Sequence, residues 1–177
     1  EDVSRIAIGN LLLAKADSLD SSEARQAIYD EVQSHIEAVE QTNAAHPAAM
    51  LLLGRLQLAR GENQKALATL DRASKLYNHR NVEALRLLAS ASERLGQWGN
   101  TQRQLERLIS LVPNSPRHWL ALTEAQLRSK NLEAATQSFE QARSLAPDHP
   151  GLPLLEARLA AATRDFDRAI ELLEGIG

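Results

Sequence analysis

The chain has 177 residues, a formal net charge of −3 and no cysteine. The lack of cysteine excludes disulfide frameworks, thiolate metal sites and cysteine nucleophiles. The charge lacks the strong basic bias of nucleic-acid binders, and no run of 18 apolar residues is present to insert into a membrane. Apolar residues make up 44% of the chain and aromatic residues 3%. Leu and Ala carry most of the apolar content, and both favour helices, so the composition predicts an all-α protein.

Residues 1–46 are acidic, with nine acids and three bases, a net charge of −6. A first helix is predicted over Val3–Ala16, and a second is predicted to start at Ser21-Ser22-Glu23 and to run to about Asn43. The second helix has an apolar stripe spaced by three and four residues, formed by Ala24, Ile28, Val32, Ile36 and Val39. We interpret this segment as an irregular N-terminal helix pair, either a degenerate repeat or a cap.

The remainder of the chain repeats with a period of 34 residues. The repeats are 47–80, 82–115, 116–149 and a partial one at 150–177, with Asn81 inserted once. Each is predicted to form a helix hairpin. The first helices share a small central residue, at Gly54, Ala89, Thr123 and Ala157. The second helices share three columns: Ala66, Thr101, Ala135 and Ala169; Leu70, Leu105, Phe139 and Leu173; and Ala73, Leu108, Ala142 and Ile176.

The turns between helices have their own signals. Gly61 and Gly96 occupy one turn position inside the hairpins, where Lys130 and Arg164 replace glycine in the later repeats. Pro113 and Pro147 are predicted to end second helices, because proline cannot continue a helix.

This pattern resembles the tetratricopeptide-repeat family, and the third repeat matches it best, with Trp119, Leu122, Ala135, Phe139, Ala142 and Pro147. The resemblance covers roughly residues 47–177. It implies a right-handed superhelical solenoid of antiparallel helix hairpins. It also implies a non-catalytic scaffold that binds a protein or peptide.

No constellation of residues predicts catalysis, a cofactor or a metal site. The five histidines lack metal-pair spacing, and His46, His79 and His149 are interpreted as solvated turn residues. Trp98 and Phe166 share one column at the start of second helices. We expect them to pack between repeats.

In the family, the first helix of each hairpin lines the concave groove, and the resemblance places offsets 2, 5, 9, 12 and 13 of each repeat there. These offsets select six arginines and three glutamates, and the seven candidate partner-binding residues among them are Arg55, Arg86, Arg94, Arg117, Glu124, Arg128 and Arg158. They also select Leu51 and Leu58. Arginine pairs bidentately with carboxylates, so one hypothesis is a groove for an acidic segment. The alternative is that Arg and Glu of adjacent hairpins pair with each other.

The Ala/Leu/Arg/Gln-rich composition is typical of a bacterial chain. Bacterial members of the family often serve envelope assemblies such as polysaccharide export or secretion, and the lack of cysteine favours the periplasm over the cytoplasm. Two alternative functions stay open. The acidic residues 1–46 could contact the groove of a second copy, giving self-association. The repeats could instead regulate an enzyme whose catalytic domain lies outside this chain, since the fourth repeat ends early and we expect further repeats after it.

Overall fold

The computed structural model describes residues 1–176, and over that range the chain forms ten α-helices that pack as sequential hairpins. The helices are α1 (Asp2–Asp17), α2 (Ser22–Thr42), α3 (Pro47–Ala59), α4 (Asn63–Leu76), α5 (Val82–Arg94), α6 (Trp98–Leu111), α7 (Pro116–Arg128), α8 (Leu132–Leu145), α9 (Leu152–Ala162) and α10 (Phe166–Glu174). The all-α prediction is confirmed. The chain divides into two compact units, Glu1–Ala91 and Ser92–Gly177.

The N-terminal hairpin begins where the sequence predicts. Ser21 is the N-cap of α2, and its hydroxyl accepts a hydrogen bond from the Ala24 amide at 3.3 Å. The same hydroxyl donates to Glu23 at 2.8 Å, which lowers the pKa of that carboxyl. All residues of the apolar stripe of α2 are buried except Ala24, which is half-buried. Its middle part packs against α1 and α3, in a cluster formed by Leu13, Ala16, Ile28, Val32, Ile36, Leu52 and Leu56. The irregular pair is therefore packed onto the first regular repeat.

The second core of this unit joins α3, α4 and α5, and it depends on small residues. Its cluster contains Met50, Leu51, Leu58, Ala66, Leu70, Ala73, Ala84, Leu87, Leu88 and Ala91. Gly54 is buried on α3, and a Cβ built there would lie 2.5 Å from Leu70 Cγ. The missing side chain lets α4 approach α3, as the small-residue column predicts.

In the second unit, α7, α8 and α9 enclose a core around Phe139, which is 2% exposed. The buried members are Ala135, Phe139, Ala142, Leu152, Leu155 and Leu159, with Trp119, Leu120 and Leu127 packed against them. The indole nitrogen of Trp119 donates to the Pro113 carbonyl oxygen at 2.8 Å, so this half-buried side chain also has a polar partner.

The turn inside each regular hairpin uses the same backbone conformation. Gly61, Gly96, Lys130 and Arg164 have φ values of +76°, +66°, +62° and +66°. Glycine adopts the left-handed region freely, whereas other L-residues are strained there by contact of Cβ with the backbone. The third and fourth turns are therefore strained where the first two are relaxed.

Lys130→Gly is expected to raise the free energy of unfolding by about 0.5–1 kcal/mol, because the relief of strain exceeds the extra entropy of glycine in the unfolded chain. The matched reverse change is Gly96→Lys, which should destabilise the chain by a similar amount. Urea denaturation followed by circular dichroism would measure both. A lower midpoint for Lys130→Gly would contradict this account.

One expectation about packing is wrong. Phe166, predicted to pack between repeats, is 60% exposed, and Ile170 and Leu173 of the same helix are 55% and 50% exposed. Among the described residues α10 packs against α9, which covers Ala169, but no helix of a following hairpin covers Phe166, Ile170 and Leu173. Trp98 at the equivalent position is half-buried beside Arg128.

None of the helices in the described part of the chain has both the length and the apolar character needed to cross a lipid bilayer.

Candidate interaction surface

The first helices of the hairpins carry the seven predicted partner-binding residues. Within the first unit, Arg55 lies on α3 and Arg86 on α5, and both approach Glu83. Arg86 Nε donates to Glu83 Oε2 at 2.9 Å, whereas Arg55 Nε lies 4.0 Å from Glu83 Oε1. Arg55 Nη1 also donates to Asn10 Oδ1 at 2.7 Å. The α1 side chain Asn10 thus completes a polar chain that the repeat pattern, which starts at Pro47, did not predict.

The second unit has a corresponding chain centred on Glu124 of α7. Glu124 Oε1 accepts from Arg128 Nε at 2.9 Å, and Glu124 Oε2 accepts from Arg158 Nη1 of α9 at 2.7 Å. The Arg128 guanidinium also lies over the Trp98 ring, 5.6 Å from its centroid. Glu124 and Arg158 are 34 residues apart, so the repeat period brings them to adjacent helices.

These ion pairs change the electrostatics of the surface more than its stability. Partly exposed pairs contribute about 0–1 kcal/mol each, because solvent screens them and the side chains lose entropy. Arg55, Arg86, Arg128 and Arg158 have a carboxylate neighbour. Arg94 and Arg117 are exposed. The pairing of adjacent hairpins therefore occurs in both units, and the net positive charge of the surface is smaller than a count of arginines suggests.

Two of the positions selected by the family offsets lie in the core instead of on the surface. Leu51 and Leu58 are 9% and 6% exposed and belong to the cluster between α3 and α5. Apolar side chains that can reach a neighbouring helix are buried there, since removal from water stabilises each by about 1.5–3 kcal/mol.

An apolar cleft lies on the same surface in the second unit. It has a volume of about 320 Å³, and its lining is Glu93, Leu120, Glu124, Gly151, Leu154, Leu155 and Arg158. Of the two lining leucines of α9, Leu154 is 48% exposed and Leu155 is buried. The volume is at the lower end of the range for ligand-binding pockets, about 300–1,000 Å³. The Glu124–Arg158 pair forms one wall, so the cleft combines an apolar floor with ordered charges.

The three turn histidines, interpreted above as solvated, are half-buried and hydrogen-bonded. His46 is the N-cap of α3, and its Nδ1 accepts from the Ala49 amide at 3.3 Å. His149 Nδ1 accepts from the Gly151 amide at 3.1 Å. His79 Nδ1 is 2.9 Å from the Ser74 hydroxyl. Among residues 1–176, no group of three or more His, Asp and Glu side chains is arranged to hold a metal ion.

Sequential helix hairpins with small residues at the helix crossings define a helical-repeat protein. Family models described as tetratricopeptide repeat match residues 24–91 and 126–177 in one case and residues 82–125 in another. The chain belongs to the tetratricopeptide-repeat family. The first match begins inside α2, so it takes in part of the acidic N-terminal pair.

Solved structures show the same fold. MamA from Desulfovibrio magneticus RS-1 is 15% identical with a TM-score of 0.78, covering 97% of this chain and 93% of that one. A thermophilic TPR protein of Thermus thermophilus is 18% identical with a TM-score of 0.63, covering 99% and 90%. YrrB, described as a TPR protein with an unusual peptide-binding site, is 17% identical with a TM-score of 0.72, covering 98% and 84%. No curated protein sequence matches this chain.

Proposed function

We propose that the chain is a non-catalytic interaction module that binds an extended peptide segment of a partner protein through the cleft of its second unit. The observation that supports this proposal is a cleft whose lining combines the exposed Leu154 and the buried Leu155 with the ion pair of Glu124 and Arg158. An apolar cleft with ordered polar walls offers an anchor site for one apolar side chain and fixed hydrogen-bonding groups for its neighbours. The family is typically one of protein-interaction scaffolds, which is consistent with this role.

The ordering of the walls lowers the cost of binding. Arg158 of the lining donates to Glu124, and Arg128, which does not line the cleft, donates to the other oxygen of the same carboxylate. A guanidinium that is already fixed loses less side-chain entropy when it meets a ligand. Arg158 also keeps N–H donors that the Glu124 carboxylate does not occupy. An acidic peptide residue next to the apolar anchor would accept hydrogen bonds from these donors, so the proposed ligand is an acidic peptide.

The cleft is tested by selecting peptides from a random displayed library on the full chain. We expect enriched peptides to share one large apolar residue and to lose binding to a Leu154→Lys variant. Leu145→Lys is the matched control, because Leu145 of α8 is a similarly exposed leucine that does not line the cleft. Peptides that bind the Leu154→Lys variant as well as the original chain would exclude the cleft.

The proposed preference of the cleft for acidic peptides is tested separately. Arg158→Glu, a change at the arginine that lines the cleft, should weaken binding of the selected peptides at least tenfold. Circular dichroism would establish that the variant remains folded. Unchanged affinity would leave the apolar anchor in place and remove the acidic preference.

The proposal extends to a bacterial envelope assembly, such as polysaccharide export or secretion, with the chain in the periplasm. The support is the lack of cysteine and the bacterial style of the composition. Fractionation of the source cells with an antibody against the chain would test it. A cytoplasmic location would overturn this part.

Self-association is the second candidate function, and the charge distribution favours it. Residues 1–46 carry a net charge of −6, and the remaining 131 residues carry +3. Light scattering of the chain with and without residues 1–46 would measure it. A monomer in both cases at high protein concentration would exclude this function.

A further inference from the structure

A pocket in the first unit lies away from the surface described above. It has a volume of about 530 Å³ and opens between the N-terminal half of α2 and the end of α3. Its lining includes Ser22, Arg25, Gln26 and Tyr29 of α2, and Arg60 and Glu62 from the turn after α3. We propose that this pocket is a second binding site, which takes the carboxylate side chain of an acidic peptide.

The floor of the pocket is ordered. Tyr29 packs against the core of the N-terminal hairpin, and the Arg60 guanidinium lies 6.0 Å from the centroid of its ring. Arg60 Nη2 is 3.1 Å from Asp30 Oδ1, which also accepts from Gln26 Nε2 at 2.8 Å. Arg60 is only 22% exposed and is held by both contacts. The aromatic floor and its arginine therefore keep one geometry before any ligand arrives.

Arg25 is the cation of the pocket lining that forms no ion pair within the described residues. Within the described residues, its guanidinium makes one long hydrogen bond, 3.5 Å from the Asp20 carbonyl oxygen. Arg25 precedes Tyr29 by four residues, so both side chains lie on one face of α2. The guanidinium donors next to the ring suit a carboxylate, which arginine binds through two parallel hydrogen bonds.

The charges of the pocket lining and of its ion-pair partners favour a ligand with a single negative charge. Arg60 is compensated by Asp30, and Glu62 is compensated by Lys65 at 3.0 Å. The remaining charge is +1, from Arg25. A phosphate dianion would exceed this single positive charge. A carboxylate matches the single uncompensated cation.

Because the pocket is open to solvent, it suits a peptide better than a small molecule. Ser22, Arg25 and Gln26 are exposed at its rim, so a small ligand would keep much of its surface in water. Small-ligand sites usually bury about 70–90% of the ligand. A peptide can place one side chain over Tyr29 and leave its backbone outside. This site is independent of the cleft proposed in the second unit.

The probe is an acetylated, amidated pentapeptide with glutamate at its centre and glycine elsewhere, titrated into the isotope-labelled full chain. We expect NMR shift changes confined to the region of Ser22, Gln26 and Tyr29. The same peptide with glutamine should bind at least tenfold more weakly. Arg25→Gln should lose affinity for the glutamate peptide by a similar factor. The control is Arg72→Gln, an exposed arginine of α4 in the same unit that does not line the pocket.

Three results would overturn the proposal. The first is the absence of shift changes at millimolar glutamate peptide. The second is equal binding of the glutamine peptide or of the Arg25→Gln variant. The third is tighter binding of a phosphoserine peptide, which would contradict the charge argument. Because the pocket and the cleft lie in different units, loss of one leaves the other unaffected.

Discussion

Phe139→Ala lowers the free energy of unfolding by an expected ~3–5 kcal/mol, which is a large part of the stability of a small domain. Phe139 is 2% exposed and is the largest side chain of the cluster that joins α8 to α9. Removing its ring leaves a cavity lined by leucines that the helix backbones cannot close. The loss also includes the transfer of a large apolar surface from water.

Tryptophan fluorescence would measure this effect selectively. Both tryptophans, Trp98 and Trp119, lie in the second unit, and both tyrosines, Tyr29 and Tyr77, lie in the first. Excitation at a wavelength that only tryptophan absorbs therefore reports on the unit that contains Phe139. Phe139→Leu is the control and should cost much less, because it preserves most of the buried surface. A tryptophan-detected urea midpoint unchanged in Phe139→Ala would contradict the assigned core.

Gly54→Ala is the second large effect, with an expected loss of about 1–3 kcal/mol. Alanine normally stabilises a helix by about 1 kcal/mol relative to glycine. Here the added Cβ would lie 2.5 Å from Leu70 Cγ, and Leu70 is fully buried, so the leucine cannot move aside. The overlap outweighs the gain in helix propensity.

One control variant and one double variant test this prediction. Gly99→Ala places the same methyl group on α6, where nothing lies within 4 Å of it, and should be neutral or stabilising. Leu70→Ala removes the obstructing side chain at a cost of about 2–5 kcal/mol. In the double variant Gly54→Ala with Leu70→Ala, the total loss should be smaller than the sum of the two single losses. Additive losses in urea denaturation would show that Gly54 and Leu70 do not interact.

The sequence predicted part of the candidate surface correctly. Offset counting placed Glu124 and Arg158 at equivalent positions of successive repeats, and the structure brings them to 2.7 Å. The same counting placed Leu51 on the surface, although it is buried. An offset specifies a direction around a helix, but burial also depends on the length of the side chain and on how closely the next helix packs. The role of the seven candidate residues in partner binding stays a prediction.

The sequence by itself predicted an all-α chain of tetratricopeptide-repeat hairpins, which the structure confirms. The 34-residue period, the small residues at helix crossings and the turn positions are local signals, because each depends on the backbone or on neighbours a few residues away. The alignment placed Lys130 and Arg164 at the turn position of Gly61 and Gly96, and the structure shows that all four have positive φ.

The tertiary structure alone decided which polar and aromatic side chains meet. Arg55 contacts Asn10 across 45 residues, and Arg60 contacts Asp30 across 30. It also left Phe166 exposed, against the expectation from its column. No local pattern encodes such contacts, because side chains distant in sequence become neighbours only when the apolar faces of the helices pack together and fix the rotation of each helix about its axis.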